Sequence, residues 1–99
     1  ETLKRELERA DVLINATSVG MNEARSLIEP TYLHEDTLVF DIVYSPLKTK
    51  LLNDAERAGC DIIDGLWMLV YQAVLAFQTW TDIKPDPEYV RKIVMGGVR

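Results

Sequence analysis

The strongest constraint on the fold is an alternation of short apolar runs with segments of helical periodicity. Apolar runs occur at 12–14, 38–43 and 60–63, and small or polar residues follow each run. A short continuous run bounded in this way is typical of a strand that is covered on both faces of a parallel sheet. Alternation of such strands with helices predicts an α/β fold, with a parallel sheet of about three strands and helices packed on it.

Four segments have the residue pattern of helices. They cover 2–9, 49–58, 66–80 and 88–95, and the polar stretch before the second strand carries at most one helical turn, near 32–35. The segment 66–80 is apolar nearly all round, which predicts a helix buried on most faces. It is too short to span a bilayer.

The second helix has the clearest start signal. Leu51 and Leu52 begin its apolar stripe, and either Thr49 or Ser45 can cap its amino terminus. The side-chain oxygen of such a residue accepts a hydrogen bond from a free amide of the first turn.

Three strands make a narrow parallel sheet. Parallel sheets normally have both faces covered, and a sheet of this width leaves an edge and a face exposed. The pattern of elements therefore predicts that part of the fold is missing from the chain.

Composition excludes several functions. The chain has 11 basic and 16 acidic residues and a net charge of −5, with the basic residues scattered, which disfavours nucleic acid and anionic membranes as partners. One cysteine, Cys60, and one histidine, His34, cannot form an intrachain disulfide or a cluster of metal ligands. A single thiol is compatible with the reducing cytoplasm, which is the expected location.

Polar and small residues follow the three predicted strands. They are Asn15, Thr17 and Ser18 after the first, Tyr44 after the second and Gly65 after the third. In open α/β sheets ligands bind outside the carboxyl ends of the strands, so these residues suit a ligand rich in hydroxyls and phosphates. The alternative is that the first three are turn formers and that Tyr44 packs with a solvated hydroxyl.

Gln72 lies among apolar residues in the predicted helix 66–80. A buried amide without a partner costs about 1–3 kcal/mol. Gln72 should therefore either bond another buried group or face a ligand cleft.

Three segments together resemble the shikimate dehydrogenase family. The segment NATSVGM at 15–21 is similar to that family's NATSxGM, and DIVYSPLKTKLL at 41–52 is similar to DxxYxPxxTxLL. The segment DGLWMLVYQA at 64–73 is similar to DGxxMLxxQA. The motifs occur in the family's order and span most of 11–85.

The resemblance implies the second half of a Rossmann-like NADP-binding domain at 1–65. It implies carboxyl-terminal helices at 66–99 that pack on this domain and toward a missing amino-terminal substrate domain. The implied reaction is reversible hydride transfer between NADPH and 3-dehydroshikimate, giving shikimate. The motif positions imply substrate contacts at Tyr44 and Gln72, and cofactor contacts at Asn15, Thr17, Ser18, Ile42, Gly65 and Met68.

The sequence departs from the family in two ways. Trp67 stands where the family often has Gly, which alters the local fit of the cofactor. The family's catalytic Lys and Asp, and its glycine-rich phosphate loop, belong to segments that this sequence does not contain. No catalytic residue is therefore assigned, and the 99-residue chain alone is expected to be inactive.

Two alternatives follow. The strand at 12–15 could pair with a second copy of the chain, giving a homodimer that acts as a non-catalytic association module. The enzyme could also be a quinate dehydrogenase, since quinate differs from shikimate mainly by a hydroxyl and ring saturation.

Overall fold

The computed structural model describes residues 2–97, which form four helices and three strands. In chain order these are α1 (Thr2–Arg9), β1 (Val12–Asn15), a 3₁₀ turn (Pro30–Tyr32), β2 (Leu38–Asp41), α2 (Lys50–Arg57), β3 (Asp61–Ile63), α3 (Leu66–Thr81) and α4 (Pro87–Gly97). The chain divides into two compact units, one up to Gly65 and one from Leu66.

The three strands form a parallel sheet in the order β1-β2-β3. Val12 pairs with Leu38 and Asn15 with Asp41, while Leu38 also pairs with Asp61 across the other edge of β2. The predicted α/β class and parallel sheet are confirmed.

Strand β2 ends at Asp41, two residues earlier than its apolar run predicts. The reason is a local turn, in which the amide of Val43 donates to the carboxylate of Asp41 at 3.0 Å. A side-chain acceptor thus replaces the next strand hydrogen bond. Val43 remains buried, so its apolar character reflects packing outside the strand.

Helix α2 is capped by Thr49, one of the two predicted caps. The Thr49 hydroxyl accepts a hydrogen bond from the amide of Leu52 at 3.3 Å. Leu51, Leu52 and Ala55 are buried on one side of the helix, as their spacing predicts. The helix gives way to Gly59, whose φ of +88° favours glycine.

One apolar cluster forms the core of the first unit. Leu52 and Val39 are fully buried at its centre, joined by Leu7, Ile28, Leu33, Leu51, Ala55 and Cys60.

The Cys60 sulfur lies 3.1 Å from the carbonyl oxygen of His34, and burial raises the pKa of this thiol, with a further contribution from the carboxylate of Asp61. A raised pKa keeps the thiol protonated and unreactive near neutral pH.

The other face of the sheet is apolar and partly open. Val12 is 50% exposed and Ile14 is 54% exposed, although β1 was expected to be covered on both faces. That expectation is wrong for β1: Leu13 packs against the core cluster, whereas Val12 and Ile14 point to the opposite face, which stays open there. The outer edge of β1 also has no partner strand among the described residues. The predicted open edge and open face are both present.

Helices α3 and α4 make up the second unit. The buried residues of α3 are Leu66, Val70 and Val74, which lie four residues apart on one stripe. The prediction that this helix is buried on most faces is wrong, and Trp80 is 81% exposed. Within the unit only α4 packs against α3, so most of its apolar surface has no partner there.

The two helices of the second unit are joined by a cation–π contact. The guanidinium of Arg91 on α4 lies 4.5 Å from the ring centroid of Trp67 on α3. Helix α4 begins where Asp86 accepts from the amide of Glu88 at 3.1 Å. Across residues 2–97 no helix is both long and apolar enough to cross a membrane.

The helical turn expected near 32–35 lies instead at Pro30–Tyr32. Proline at the first position of the turn explains the difference, because its fixed φ suits the start of a helical turn and it has no amide to leave unbonded.

Candidate functional site

The candidate site lies at the carboxyl edge of the sheet in the first unit. Asn15 and Asp41 are register partners at the ends of β1 and β2, and the amide of Ile42 donates to the carbonyl oxygen of Asn15 at 3.1 Å. Gly65 follows β3. The parallel arrangement thus brings the loops after all three strands to one edge.

Asp41 is the fully buried centre of this edge. Its Oδ1 accepts from the Asn15 side-chain amide at 3.0 Å and from the Val43 main-chain amide at 3.0 Å. Its Oδ2 accepts from the Thr49 hydroxyl at 2.7 Å. A buried carboxylate is costly unless hydrogen-bonded, and here these donors join the ends of β1 and β2 to the start of α2.

The side chain of Asn15 forms hydrogen bonds with other residues of the protein. Its Nδ2 donates to Asp41 and to the carbonyl oxygen of Val19, at 3.0 and 3.1 Å. Its Oδ1 accepts from the amide and the hydroxyl of Thr17, at 3.2 and 2.6 Å. The Thr17 hydroxyl also accepts from the amide of Val19 at 3.2 Å. Asn15 and Thr17 therefore shape the loop, as the turn-forming alternative predicts.

Two polar side chains at this edge stay open. Ser18 is exposed, and Tyr44 is 39% exposed. Neither hydroxyl has a hydrogen-bond partner among the described residues, so both can bind a polar ligand. The open hydroxyl of Tyr44 agrees both with ligand binding and with the alternative that Tyr44 packs with a solvated hydroxyl.

Gly65 marks a close approach between loops. A Cβ atom at this position would lie 2.8 Å from the carbonyl oxygen of Asp41 and would collide with the carbonyl group of Ile42. Real Cβ atoms do not come this near to main-chain atoms. Glycine is therefore required for the loop after β3 to lie against the loop after β2.

The remaining two candidates, Met68 and Gln72, lie on α3 in the second unit. Both are exposed and are separated by one helical turn, so they share a face of the helix. Gln72 has no hydrogen-bond partner among the described residues. Of its two predicted roles, bonding to another buried group is not observed.

Two residues near this edge, Asp41 and Asn22, were not predicted as site residues; the Oδ1 of Asn22 accepts from the hydroxyl of Ser45 at 2.9 Å. The signal for Asp41 was available, since a carboxylate at the end of an otherwise apolar strand needs several donors. For Asn22 no comparable signal exists, because its partner Ser45 is distant in sequence.

Chemically, the edge offers hydroxyls and main-chain groups, while the carboxylate of Asp41 is buried and already bonded. Within residues 2–97 no group of three or more His, Cys, Asp or Glu side chains could hold a metal ion. Neutral donors and acceptors suit the amide, hydroxyl and ring groups of an organic ligand.

Comparison with known proteins agrees with this geometry. The profile of the Shikimate 5'-dehydrogenase C-terminal domain matches residues 65–95. The NADP(+) shikimate dehydrogenase of Pyrococcus abyssi is 57% identical over 84 residues, covering 85% of this chain and 32% of the relative.

Solved structures of similar proteins match the fold of this chain. Shikimate 5-dehydrogenase from Listeria monocytogenes, in complex with shikimate and NAD, has a TM-score of 0.87 and 35% identity over 94% of this chain and 33% of its own. Quinate dehydrogenase from Corynebacterium glutamicum, in complex with NAD, has a TM-score of 0.87 and 34% identity over 95% of this chain and 34% of its own. The chain thus spans about a third of the length of these relatives.

The parallel sheet, with the loops after its strands gathered at the carboxyl edge, defines the chain as part of a Rossmann-like α/β protein. More narrowly, it belongs to the shikimate dehydrogenase family, in the region that includes the family's carboxyl-terminal domain. The resemblance of the three motifs is confirmed.

Replacing Gly65 by Ala should destabilise the protein by about 3 kcal/mol or more, because the new methyl group forces the main chain of two loops apart. The matched control is Gly96→Ala, where a Cβ meets nothing within 4 Å and a helical glycine is replaced. The control should be neutral or stabilising by up to about 1 kcal/mol. Urea unfolding of both variants measures the difference, and equal stabilities would contradict the close approach.

Replacing Asp41 by Asn should cost about 1–3 kcal/mol, because the buried amide nitrogen that replaces Oδ2 can no longer accept the hydrogen bond from the Thr49 hydroxyl. Asp61→Asn makes the same chemical change at an exposed position of β3. Chemical denaturation should show little change for this control. A loss at Asp61 as large as that at Asp41 would argue against the buried network.

Proposed function

We propose that this chain is the cofactor-side part of a longer NADP-dependent shikimate dehydrogenase. The reaction is reversible hydride transfer between NADPH and 3-dehydroshikimate, an oxidoreductase step in aromatic amino-acid biosynthesis. The observation that carries the proposal is the meeting of the loops after β1, β2 and β3 at one edge. The names of relatives that share up to 57% of aligned residues support the same activity.

The proposed cofactor side consists of Asn15, Thr17, Ser18, Ile42 and Gly65 in the first unit, with Met68 from α3. Ser18 offers a free hydroxyl, while Asn15 and Thr17 act by holding the loop in shape. The close packing at Gly65 keeps the carboxyl edge free of a side chain, which allows a flat ring to approach the main chain.

When bound, the nicotinamide cofactor accepts or donates the hydride. In this chain the hydroxyl of Tyr44 and the amide of Gln72 are proposed to bind the hydroxyl groups of the cyclic substrate. Both side chains are exposed and unpartnered among the described residues, so substrate binding would not have to break an internal bond. Their role is to orient the ring, because fixing the reacting carbon near the acceptor accelerates transfer.

Proton transfer to and from the substrate oxygen is assigned to a Lys and an Asp outside this chain, as the family resemblance implies. We propose that residues 66–99 pack toward that amino-terminal substrate domain. The exposed apolar surface of α3 supports this, because such a surface in a soluble protein normally marks an interaction site. A cytoplasmic location fits the proposed function, since a reducing compartment keeps the free thiol of Cys60 reduced.

Two alternatives keep specific support. The quinate dehydrogenase match is as similar in fold as the shikimate dehydrogenase match, so quinate is the competing substrate. The outer edge of β1, which has no partner strand among the described residues, favours a homodimer when that edge has no other partner. Light scattering separates a homodimer from a monomer, and a panel of both polyols with NADP⁺ and NAD⁺ separates the enzymes.

The isolated 99-residue chain should not reduce NADP⁺ with shikimate, whereas the longest natural reading frame that contains it should. The physical reason is the absence of an acid–base pair and a phosphate cradle from the short chain. Absorbance of the reduced nicotinamide measures both, against a control without protein. Turnover by the short chain would contradict the division of roles, and no turnover of either polyol by the long one would contradict the function.

In the longer protein, Tyr44→Phe should raise KM for shikimate about three- to tenfold, as expected for one lost neutral hydrogen bond. KM for NADP⁺ should stay within about twofold, because that contact is not on the cofactor side. Tyr89→Phe is the matched control, since it removes the hydroxyl of another exposed tyrosine. Initial-rate kinetics with each substrate varied in turn give both constants; an unchanged KM for shikimate in Tyr44→Phe would remove Tyr44 from the site.

A further inference from the structure

Two loops of the carboxyl edge are fastened together by a pair of hydrogen bonds. The main-chain amide of Asn22, after β1, donates to the carbonyl oxygen of Ser45, after β2, at 2.7 Å. In return, the hydroxyl of Ser45 donates to Oδ1 of Asn22 at 2.9 Å. We call this pair the Asn22–Ser45 clasp.

The loop that contains Asn22 fixes its main chain in the conformation that this contact requires. Its φ is +55°, in the left-handed region, where asparagine is better tolerated than most side chains. On either side, the amide of Gly20 donates to the carboxylate of Glu23 at 3.0 Å, and the amide of Met21 donates to the carbonyl oxygen of Ser18 at 3.0 Å. The clasp therefore extends a loop that is already closed on itself.

On the other side of the clasp, Tyr44 is fixed from both directions. Before it, the amide of Val43 is bonded to buried Asp41 at 3.0 Å, and after it Ser45 is held by Asn22. The side chain of Tyr44 itself is 39% exposed and unpartnered within residues 2–97. Its main chain is thus anchored while its hydroxyl stays available.

We infer that Asn22 and Ser45 are positioning residues that couple cofactor binding to substrate binding. The clasp joins the loop that carries Thr17 and Ser18 to the residue next to Tyr44. A ligand that fixes one loop therefore also restrains the other. This inference rests on the proposed function. Coupling between two sites is reciprocal, so each ligand should tighten the binding of the other by the same factor.

The test uses the longer protein and measures Kd of NADP⁺ by calorimetry without shikimate and with shikimate at saturation. The ratio of the two constants is the coupling factor. In the unchanged protein it should exceed about threefold, the effect of one neutral hydrogen bond. In Ser45→Ala and in Asn22→Gly, which keeps the left-handed φ but removes the acceptor, it should fall toward one.

Two further variants separate positioning from a general loss of structure. Asn22→Asp keeps an acceptor for the Ser45 hydroxyl and should restore most of the coupling factor. Ser26→Ala removes a loop hydroxyl that bonds only to Ile28, and it should leave the factor unchanged. Thermal unfolding should give closely similar Tm values for all four variants, because the clasp is exposed to solvent.

The inference is overturned if the unchanged protein turns over shikimate but shows no coupling, or if Ser45→Ala and Asn22→Gly retain the full factor. A loss of coupling that Ser26→Ala shares would also overturn it. Failure of the proposed function has a different signature, since the unchanged protein would then neither turn over shikimate nor bind NADP⁺. That result would overturn both.

Discussion

The hydrogen bonds of the buried Asp41 carboxylate are the interaction on which the rest of the first unit depends. It accepts hydrogen bonds from the end of β1, from the chain just after β2 and from the cap of α2. Because the network leaves no side-chain polar atom buried and unsatisfied among the described residues, the acid stabilises the edge instead of weakening it. The loops after β1 and β2 are positioned by this one group.

A second constraint is the amount of apolar surface without a partner. One face of β1 is open in the first unit, and most of the side chains of α3 are exposed in the second. A chain that spans about a third of its relatives' length is expected to look like this, because a Rossmann-like sheet is normally wider and covered on both faces. The open face of β1 and the exposed side of α3 are therefore the surfaces on which the rest of the proposed longer protein would pack.

The candidate site divides its residues by role. The side chains of Asn15 and Thr17 hydrogen-bond to each other, and Asn15 also bonds to Asp41, so both define the shape of the loop. Ser18 and Tyr44 have hydroxyls without a hydrogen-bond partner among the described residues, and Gly65 has no side chain, which lets two loops pack closely. The segment 15–21 thus contains both a side chain with a free hydroxyl, Ser18, and side chains that hold the loop, and the hydrogen bonds distinguish them.

The sequence alone determined the α/β class, the three strands and the position of α2, because apolar periodicity and capping are local properties. It also determined the family, through three motifs in order. Only the tertiary structure decided that Thr49 caps α2 while bonding Asp41, and that Gly65 must lie against Ile42. The contacts with Asp41 and Ile42 join different elements of the fold, and no local pattern specifies which residues meet once the strands are paired.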